Sequence, residues 1–194
     1  DVDKGFYIDI GAWSPDVDSV TRAFYDRGWS GINVEPNPVF HEQLNQRRTR
    51  DINLKLAVAD FEGKATMNFV SNPGLSTIND EIAKSHESAG CSITREDVKT
   101  TTLANLYEEH VLCLQPVHFL KVDVEGLEEA VLRGNDWQRF RPWIVVVEAT
   151  MPMTETDSYD VWQPILFNAN YHHAYSDGLN RFYVSSEHIE LLSV

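Results

Sequence analysis

The strongest constraint on the fold of this chain is a repeated alternation between short apolar runs and longer amphipathic runs. Apolar runs predict strands at residues 6–10, 31–35, 52–58, 65–70, 117–122 and 143–147. Amphipathic runs predict helices at about residues 19–27, 38–46, 79–88, 127–133 and 161–169. Residues 71–97 are otherwise the least regular part, and residues 100–110 predict a strand end followed by a helix. This alternation predicts an α/β fold with helices on both faces of an open, mostly parallel sheet.

The last segment departs from that alternation. Residues 171–184 form two strand-like arms around Ser176-Asp177-Gly178, which is typical of a β-hairpin turn. A nicotinamide-type Rossmann sheet is wholly parallel, whereas an antiparallel hairpin at the end of a parallel sheet is typical of methyltransferases. We therefore predict a Rossmann-like class I methyltransferase fold, with a mostly parallel sheet of seven strands that ends in an antiparallel hairpin.

Charge and hydropathy argue against several classes of partner. The chain has 16 basic and 30 acidic residues and a formal net charge of −14. Nucleic acid would be repelled by that charge, and we interpret the short basic cluster at residues 47–50 as a positive helix C-terminus. The longest apolar run, at residues 143–147, is too short to cross a bilayer. We predict neither a nucleic-acid partner nor a membrane span.

Cysteine spacing and chain length bear on compartment and domain organisation. Cys91 and Cys113 fit neither a CxxC motif nor a zinc spacing, so we expect free thiols in a reducing cytoplasm. A chain of 194 residues suits a single domain, which we predict for residues 1–194. The chain starts with Asp1 and reaches its first predicted strand almost at once. It is therefore compatible with a domain trimmed from a longer protein, or with one of several domains.

Residues after the predicted strands outline a cofactor site, because ligands of open α/β sheets bind beyond the carboxyl ends of the strands. Gly11 follows the first strand, and Glu35 lies 24 positions later. This is close to the spacing of about 20 that fits a carboxylate accepting both ribose hydroxyls. The turn at residues 11–16 lacks the further glycines of a dinucleotide motif. Asp16 and Asp18 would also repel a pyrophosphate at the helix N-terminus. A cofactor with a ribose and no phosphate fits better, and S-adenosylmethionine is the obvious one.

Each of these residues also has a purely structural interpretation. Asp9 inside a strand would be a buried carboxylate bonded to backbone donors. Glu35 before a proline would be a solvated strand end, and Trp13 would be simple core packing. The joint spacing of the three residues favours the cofactor site over these separate explanations.

Several motifs occur along the chain in the order found in one known family. The motifs are Phe6-Tyr7-Ile8-Asp9-Ile10-Gly11-Ala12, Val34-Glu35-Pro36, Ala57-Val58-Ala59-Asp60 with Gly63, Gly74-Leu75-Ser76-Thr77, and Phe119-Leu120-Lys121-Val122-Asp123-Val124-Glu125-Gly126. Residues 141–148 and 177–182 fit the same pattern. Together these motifs, which span nearly the whole chain, resemble the FkbM family of methyltransferases. Trp13-Ser14 stands where that family often has Asn-Gly.

The resemblance implies a Rossmann-like fold and O-methylation of hydroxyls on sugars or polyketide-like products. The acceptor is then a small molecule or a glycan. The resemblance also implies that Asp9, Gly11, Glu35 and Asp60 face the cofactor. The full set of predicted cofactor-binding residues is Asp9, Gly11, Ala12, Trp13, Glu35, Pro36, Asp60 and Asp123.

Carboxylates at the ends of two central strands predict a metal site. Asp123 and Glu148 end adjacent strands, and two carboxylates with open positions suit Mg²⁺ or Mn²⁺. Catechol-type methyltransferases place their metal ligands at the ends of the same two strands. We predict Asp123 and Glu148 as metal ligands, and Asp123, Glu125 and Lys121 as catalytic residues. Glu125 would complete the metal site or act as the base, and Lys121 would neutralise the carboxylates. Alternatively, Asp123 and Glu125 bind backbone amides and shape the cofactor cavity.

The predicted acceptor contacts are Ser76, Thr77, Asn180 and Arg181, although the last two would also close the hairpin through local hydrogen bonds.

O-methyl transfer to a sugar or glycan hydroxyl is the favoured function. One alternative is an oxidoreductase that binds a nicotinamide or a nucleotide sugar, which the missing glycines and the missing Tyr-x-x-x-Lys motif argue against. Another alternative is a non-catalytic Rossmann-like binding domain of a larger polypeptide.

Overall fold

A computed structural model describes residues 2–71, 73–151, 154 and 156–193, with the backbone alone for Pro73. The strands in these ranges are β1 (Phe6–Ile10), β2 (Ser30–Val34), β3 (Ile52–Leu54), β4 (Ala57–Ala59), β5 (Gly63–Val70), β6 (Ile93–Thr102), β7 (Phe119–Val122), β8 (Ile144–Glu148), β9 (Tyr171–Ser176) and β10 (Asn180–Ser185). The α-helices are α1 (Arg22–Asp26), α2 (Pro38–Arg47), α3 (Asp80–Ser88), α4 (Leu103–His110), α5 (Glu128–Arg133) and α6 (Gln163–Asn168). Short 3₁₀ segments occupy Pro73–Leu75, Tyr159–Val161 and Ser186–Ser193.

The main sheet confirms the predicted fold class. Its seven strands have the order β3-β2-β1-β7-β8-β10-β9. The pairs among β3, β2, β1, β7 and β8 are parallel, whereas β10 is antiparallel to both β8 and β9. The predicted hairpin therefore forms, and its second arm inserts beside β8. Asn180 on that arm lies in register with Glu148 at the end of β8.

A second sheet, of order β4-β6-β5, differs from the prediction. The strand predicted at residues 52–58 was wrong as one element, because β3 joins the main sheet and β4 joins the second sheet. The ten-residue strand β6 begins within the segment expected to be irregular. Most of its side chains before Thr100 are exposed, so its sequence carries no apolar alternation. Its stability comes from pairing with β5, which sequence periodicity cannot show.

Helix boundaries follow from local caps. The Asn37 side chain accepts a hydrogen bond from the Val39 amide, and the Asn79 side chain accepts from the amide of Glu81, so each caps the helix that follows it. The first helix is shorter than predicted and begins at Arg22. Asp18, just before the predicted start, adopts a positive φ of 51°, so the chain enters this region in a left-handed conformation.

The core is continuous between the two sheets. Ile8, Ile32 and Leu120 on the central strands are fully buried, as expected for parallel strands covered on both faces. The same apolar cluster includes Val58 of β4 and Leu103 of α4. This shared core fixes β4 and α4 against the carboxyl half of the main sheet. No helix within the described residues has the length and apolar character needed to cross a membrane.

Candidate functional site

The carboxyl ends of β1, β2, β7 and β8 open onto a cavity of about 350 Å³. Its volume lies in the ordinary range for small-molecule sites. We call it the strand-end cavity. Predicted site residues that line it are Gly11, Ala12, Trp13, Glu35, Pro36, Ser76, Lys121, Asp123, Glu125, Glu148 and Asn180. The fold thus brings most of the predicted cofactor, metal and acceptor residues to one place.

Two predicted cofactor residues do not line the strand-end cavity. Asp9 is 1% exposed and lies behind it, with one carboxylate oxygen 2.9 Å from the hydroxyl of Thr21, which donates to it. Asp60 is exposed just beyond β4. The expectation that Asp60 faces the cofactor therefore has no support in the structure. A turn residue next to a matching motif need not point into the site that the motif builds.

Two predicted acceptor residues also lie outside the strand-end cavity. Thr77 is buried, and its hydroxyl donates to the backbone oxygen of Glu125 at 2.9 Å. Arg181 neighbours Asn180 on β10, and side chains alternate along a strand. Its guanidinium lies 3.7 Å from the centre of the Tyr159 ring. The structure therefore gives Thr77 and Arg181 positions that support other residues and leaves Ser76 and Asn180 at the cavity.

The turn after β1 requires glycine for two reasons. Gly11 has a φ of +79°, which favours glycine. A Cβ atom at this position would also lie 1.8 Å from the backbone oxygen of Asp123. The amide of Gly11 and that of Ala12 donate to the carbonyl of Val34. Gly11 therefore lets the end of β1 pass directly against the end of β7, which brings the cofactor turn and the carboxylates together.

Glu35 organises the wall of the strand-end cavity. One carboxylate oxygen accepts from the amide of Trp13 at 2.8 Å, and the other accepts from the amide of Asn37 at 2.7 Å. Burial raises the pKa of Glu35 to about 7, although these two backbone donors lower it. The interpretation of Glu35 as a solvated strand end is therefore wrong. Its oxygens keep further lone pairs that can accept hydrogen bonds from the hydroxyl groups of a ligand in the cavity.

Lys121 joins the turn to two carboxylates. Its ammonium lies 3.3 Å from a carboxylate oxygen of Asp9, 3.3 Å from one of Asp123, and 2.9 Å from the Gly11 carbonyl, to which it donates. Burial alone would lower the pKa of Lys121, but the two carboxylates raise it above its ordinary value. The side chain is thus a buried cation that neutralises its neighbours, the position expected from the sequence.

Three carboxylates meet at the strand ends. Asp123, Glu125 and Glu148 each place one oxygen within 4.8 Å of the others. Burial, with Asp123 and Glu125 as the nearest negative neighbours, raises the pKa of Glu148 to about 10. Burial and the charge of Asp123 also raise the pKa of Glu125 to about 8. Among the described residues, one Glu148 oxygen is buried without a hydrogen-bond partner. This set of oxygen donors can hold a divalent cation.

Sequence reasoning missed Glu128, which shapes the turn after β7. Glu125 and Gly126 both have positive φ, of 55° and 92°. The Glu128 carboxylate accepts from the amides of Val124 and Gly126 at 3.1 and 3.2 Å, and Thr77 holds the Glu125 carbonyl. An acidic residue two positions after a glycine was the available sequence signal for Glu128. These contacts fix the side chain of Glu125 at the cavity.

The basic cluster at residues 47–50 has a different role from the one we predicted. Arg48 is 1% exposed, and its guanidinium donates to the Pro15 carbonyl and to the Ser19 hydroxyl, both at 2.8 Å. Arg47 pairs with Asp16 on the same loop. These two arginines therefore secure the loop that follows Trp13. A helix C-terminus was the correct location, but no local pattern indicates that Arg48 is buried.

The residues of this site lie within a region that matches a known protein family. A family model described as "Methyltransferase FkbM domain" matches residues 9–173 of the 194-residue chain. The matched span begins in β1 and ends in β9, so it contains the glycine turn, Glu35 and the three carboxylates. No curated protein matches the chain.

Proposed function

This chain belongs to the FkbM family of methyltransferases, and from that premise we propose that it transfers the methyl group of S-adenosylmethionine to a hydroxyl of a small molecule, above all of a sugar or glycan. The observation that carries the proposal is the meeting of Asp123, Glu125 and Glu148 in the cavity that Gly11 and Glu35 also line. One cavity thus offers Glu35, a carboxylate that can bind ribose hydroxyls, and three further carboxylates whose oxygens can serve an acceptor.

The cavity lining fits S-adenosylmethionine better than a dinucleotide. The indole N–H of Trp13 is buried at this cavity without an acceptor among the described residues, and Glu35 retains acceptor capacity. Lys121 is already engaged by Asp9 and Asp123, so it is not available for a pyrophosphate. The carboxylates suit a cofactor with an ammonium and a sulfonium group. When bound, S-adenosylmethionine supplies an electrophilic methyl carbon.

The residues of the chain would align the acceptor and take up its proton. Much of the rate acceleration in such a displacement comes from holding the attacking oxygen in line with the methyl carbon. Asn180 and Ser76 line the cavity and would orient the acceptor. Glu125 has a pKa raised to about 8, which suits a base that accepts the hydroxyl proton near neutral pH. Lys121 lies 3.3 Å from a carboxylate oxygen of Asp123 and would hold that side chain in position.

We also propose that Asp123 and Glu148 hold Mg²⁺ or Mn²⁺, with Glu125 as a third ligand. All three offer carboxylate oxygens, the ligands that these ions prefer, and one Glu148 oxygen has no other partner among the described residues. A bound divalent cation would lower the pKa of the acceptor hydroxyl. With the metal bound, Glu125 serves as a metal ligand, whereas in a metal-free enzyme it serves as the base.

Calorimetry with S-adenosylhomocysteine tests the cofactor, and EDTA tests the metal. We expect saturable binding both with magnesium or manganese and with EDTA, followed by methyl transfer to members of a sugar panel that EDTA abolishes. Full transfer activity in EDTA would reject the metal and leave Glu125 as the base. No binding in either condition, together with binding of NAD, would favour the oxidoreductase alternative. No binding of either cofactor would favour a non-catalytic domain.

The proposal extends to compartment and domain organisation. Cys91 and Cys113 are both free thiols, which fits a reducing cytoplasm. We propose that residues 1–194 form one methyltransferase domain, since the apolar cluster joins β1 with β4 and α4. Limited proteolysis tests this proposal, because a single domain should resist cleavage between residues 54 and 103.

A further inference from the structure

One peptide plane in the turn after β7 is held on both sides. Its carbonyl belongs to Glu125 and accepts from the Thr77 hydroxyl at 2.9 Å, and its amide belongs to Gly126 and donates to the Glu128 carboxylate at 3.2 Å. We propose that Thr77 is a positioning residue for methyl transfer, because its hydroxyl ties residues 74–78, the acceptor-side loop, to the turn and holds the Glu125 carboxyl at the cavity. This inference rests on the proposed function.

The backbone conformation of Glu125 explains why the peptide plane needs outside partners. Glu125 has a φ of 55°, in the left-handed region that residues other than glycine rarely adopt. Such a conformation persists where surrounding contacts hold it. Without the Thr77 hydroxyl, the carbonyl of this plane loses its partner, and Glu125 can rotate away from the left-handed conformation. The carboxyl that lines the strand-end cavity then moves with the backbone.

The Thr77 hydroxyl has a fixed direction. It accepts from the Asn79 amide at 3.0 Å, and an amide N–H can only donate. Its single proton is therefore directed at the Glu125 carbonyl, which can only accept. Thr77 is 0% exposed, and its backbone pairs with that of Asn68 on β5 through two hydrogen bonds of 2.9 and 3.1 Å. The second sheet thus anchors Thr77, and the side chain reaches the turn of the main sheet.

The neighbours of Thr77 on the acceptor-side loop face the ligand space. Leu75, Ser76 and Ile78 line the strand-end cavity, whereas Thr77 lies behind that lining. A ligand that packs against these three residues therefore bears on the segment that holds the Glu125 carbonyl. Any effect of Thr77 on the reaction passes either through Glu125 or through the loop neighbours. The first route changes kcat, whereas the second changes acceptor binding.

Kinetics of methyl transfer test the role of Thr77, with the best sugar of the panel as acceptor. Thr77→Val keeps the size of the side chain and removes its hydroxyl. We expect kcat to fall about tenfold, the size of one lost hydrogen bond, while affinity for S-adenosylhomocysteine stays within about twofold. Thr77→Ser, which retains a hydroxyl, should restore kcat. The matched control is Thr100→Val, which should leave kcat unchanged, because Thr100 is 1% exposed and its hydroxyl has no partner among the described residues.

The Glu125 carbonyl can also be observed directly, without any measurement of activity. The chain contains two Glu-Gly pairs, Glu62-Gly63 and Glu125-Gly126, so ¹³C-carbonyl glutamate combined with ¹⁵N-glycine yields two correlated signals. Glu62→Ala removes one signal and assigns the other. We expect Thr77→Val to shift the Glu125 signal and leave the Glu62 signal in place, and Thr77→Ser to shift the Glu125 signal far less. If Thr77→Val fails to fold, Thr77→Cys, whose thiol donates weakly, should give a shift in the same direction.

The outcomes separate this inference from the proposed function. An unchanged kcat in Thr77→Val, or a rise in the acceptor KM alone, would overturn the role of Thr77 and leave methyl transfer standing. A Glu125 carbonyl signal that does not shift would overturn it in the same way. A wild-type protein that binds S-adenosylhomocysteine but methylates no sugar would instead reject the proposed acceptor, and the role of Thr77 in that reaction would fall with it.

Discussion

Two groups of buried and half-buried ionisable side chains in this protein are satisfied to different degrees. The first, which we call the tyrosine–arginine cluster, consists of Tyr7, Arg48 and Asp51 beside β1–β3. Arg48 donates to the Tyr7 hydroxyl at 3.3 Å, and that hydroxyl donates to Asp51 at 2.6 Å. Asp51 also accepts from the Gly31 amide at 2.9 Å. Each ionisable group in this cluster therefore has a partner, and one cation faces one anion.

The second group, the carboxylate cluster of Asp123, Glu125 and Glu148, is not balanced. Lys121 is the cation next to it, and Lys121 is shared with Asp9. The pKa values of Glu125 and Glu148 are raised to about 8 and about 10, because burial and mutual repulsion disfavour their charged forms. Satisfied charges stabilise the fold, whereas repelling carboxylates that line a cavity indicate a candidate functional site.

Replacing a member of the carboxylate cluster should give the largest loss of activity. The same replacement should raise the stability of the fold. We expect Glu148→Gln to reduce methyl transfer by about 10²–10⁴-fold, the range for loss of a group that assists proton removal. The same change should raise the free energy of unfolding in EDTA by about 1–3 kcal/mol at neutral pH, since the folded wild-type protein must keep this buried carboxyl protonated well above its ordinary pKa. Transfer kinetics and urea unfolding measure the two effects.

The pH dependence of the free energy of unfolding tests the sign of the Glu148→Gln effect. The folded pKa of Glu148, about 10, exceeds that of the unfolded chain, so the wild-type protein loses stability as pH rises from the ordinary carboxyl range toward 10. The stability difference between variant and wild type should therefore grow with pH. Glu108→Gln, which removes a charge from an exposed ion pair with Arg139, should leave both activity and this slope unchanged. A destabilised Glu148→Gln variant would contradict the comparison.

Replacing a member of the tyrosine–arginine cluster should act on stability instead. We expect Arg48→Met to lower the free energy of unfolding by about 3 kcal/mol, because it removes the hydrogen bonds of a fully buried guanidinium and leaves the half-buried Asp51 without its nearby cation. It also removes the bonds to Pro15 and Ser19, so the affinity for S-adenosylhomocysteine should fall as the loop loosens. Arg47→Met, the exposed neighbour, should cost less than about 1 kcal/mol. Equal losses in the two variants would show that burial of Arg48 is unimportant.

Glu35 should show an intermediate effect that depends on pH. Its pKa of about 7 means that the carboxylate is protonated as pH falls through that value, and one acceptor for the Trp13 or Asn37 amide is weakened. We expect affinity for S-adenosylhomocysteine to fall about tenfold below pH about 7. Fold stability should rise over the same interval, because the unfolded chain loses this proton at lower pH. Glu35→Gln should flatten both curves, and a pH-independent wild-type affinity would exclude this role.

Asp60 should show the smallest effect. Because the residue is exposed and lies outside the strand-end cavity, Asp60→Asn should change stability by less than about 0.5 kcal/mol. Affinity for S-adenosylhomocysteine should also stay within a factor of about two, as expected for a residue without cofactor contact. Calorimetry on the variant checks both values. A tenfold loss of affinity would restore the cofactor role that the sequence motif had indicated.

Much of the site could be predicted from the sequence because it depends on strand ends. Apolar runs located β1, β2, β7 and β8, and parallel strands place their carboxyl ends at one edge. Gly11, Glu35, Asp123 and Glu148 were therefore expected to converge, and they do. The second sheet could not be predicted, because β6 is polar on both faces over most of its length and gains its order from pairing with β5.

The sequence by itself determined the order of the main strands, the hairpin and the residue types at the strand ends, because local periodicity and turn chemistry record these features. The tertiary structure alone decided which charges became buried and which partners met them. It buried Arg48 against Tyr7, placed Asp60 in solvent, and set the Thr77 hydroxyl against the Glu125 carbonyl. The physical reason is that hydrogen bonding and desolvation depend on distances between residues far apart in sequence, which no local pattern specifies.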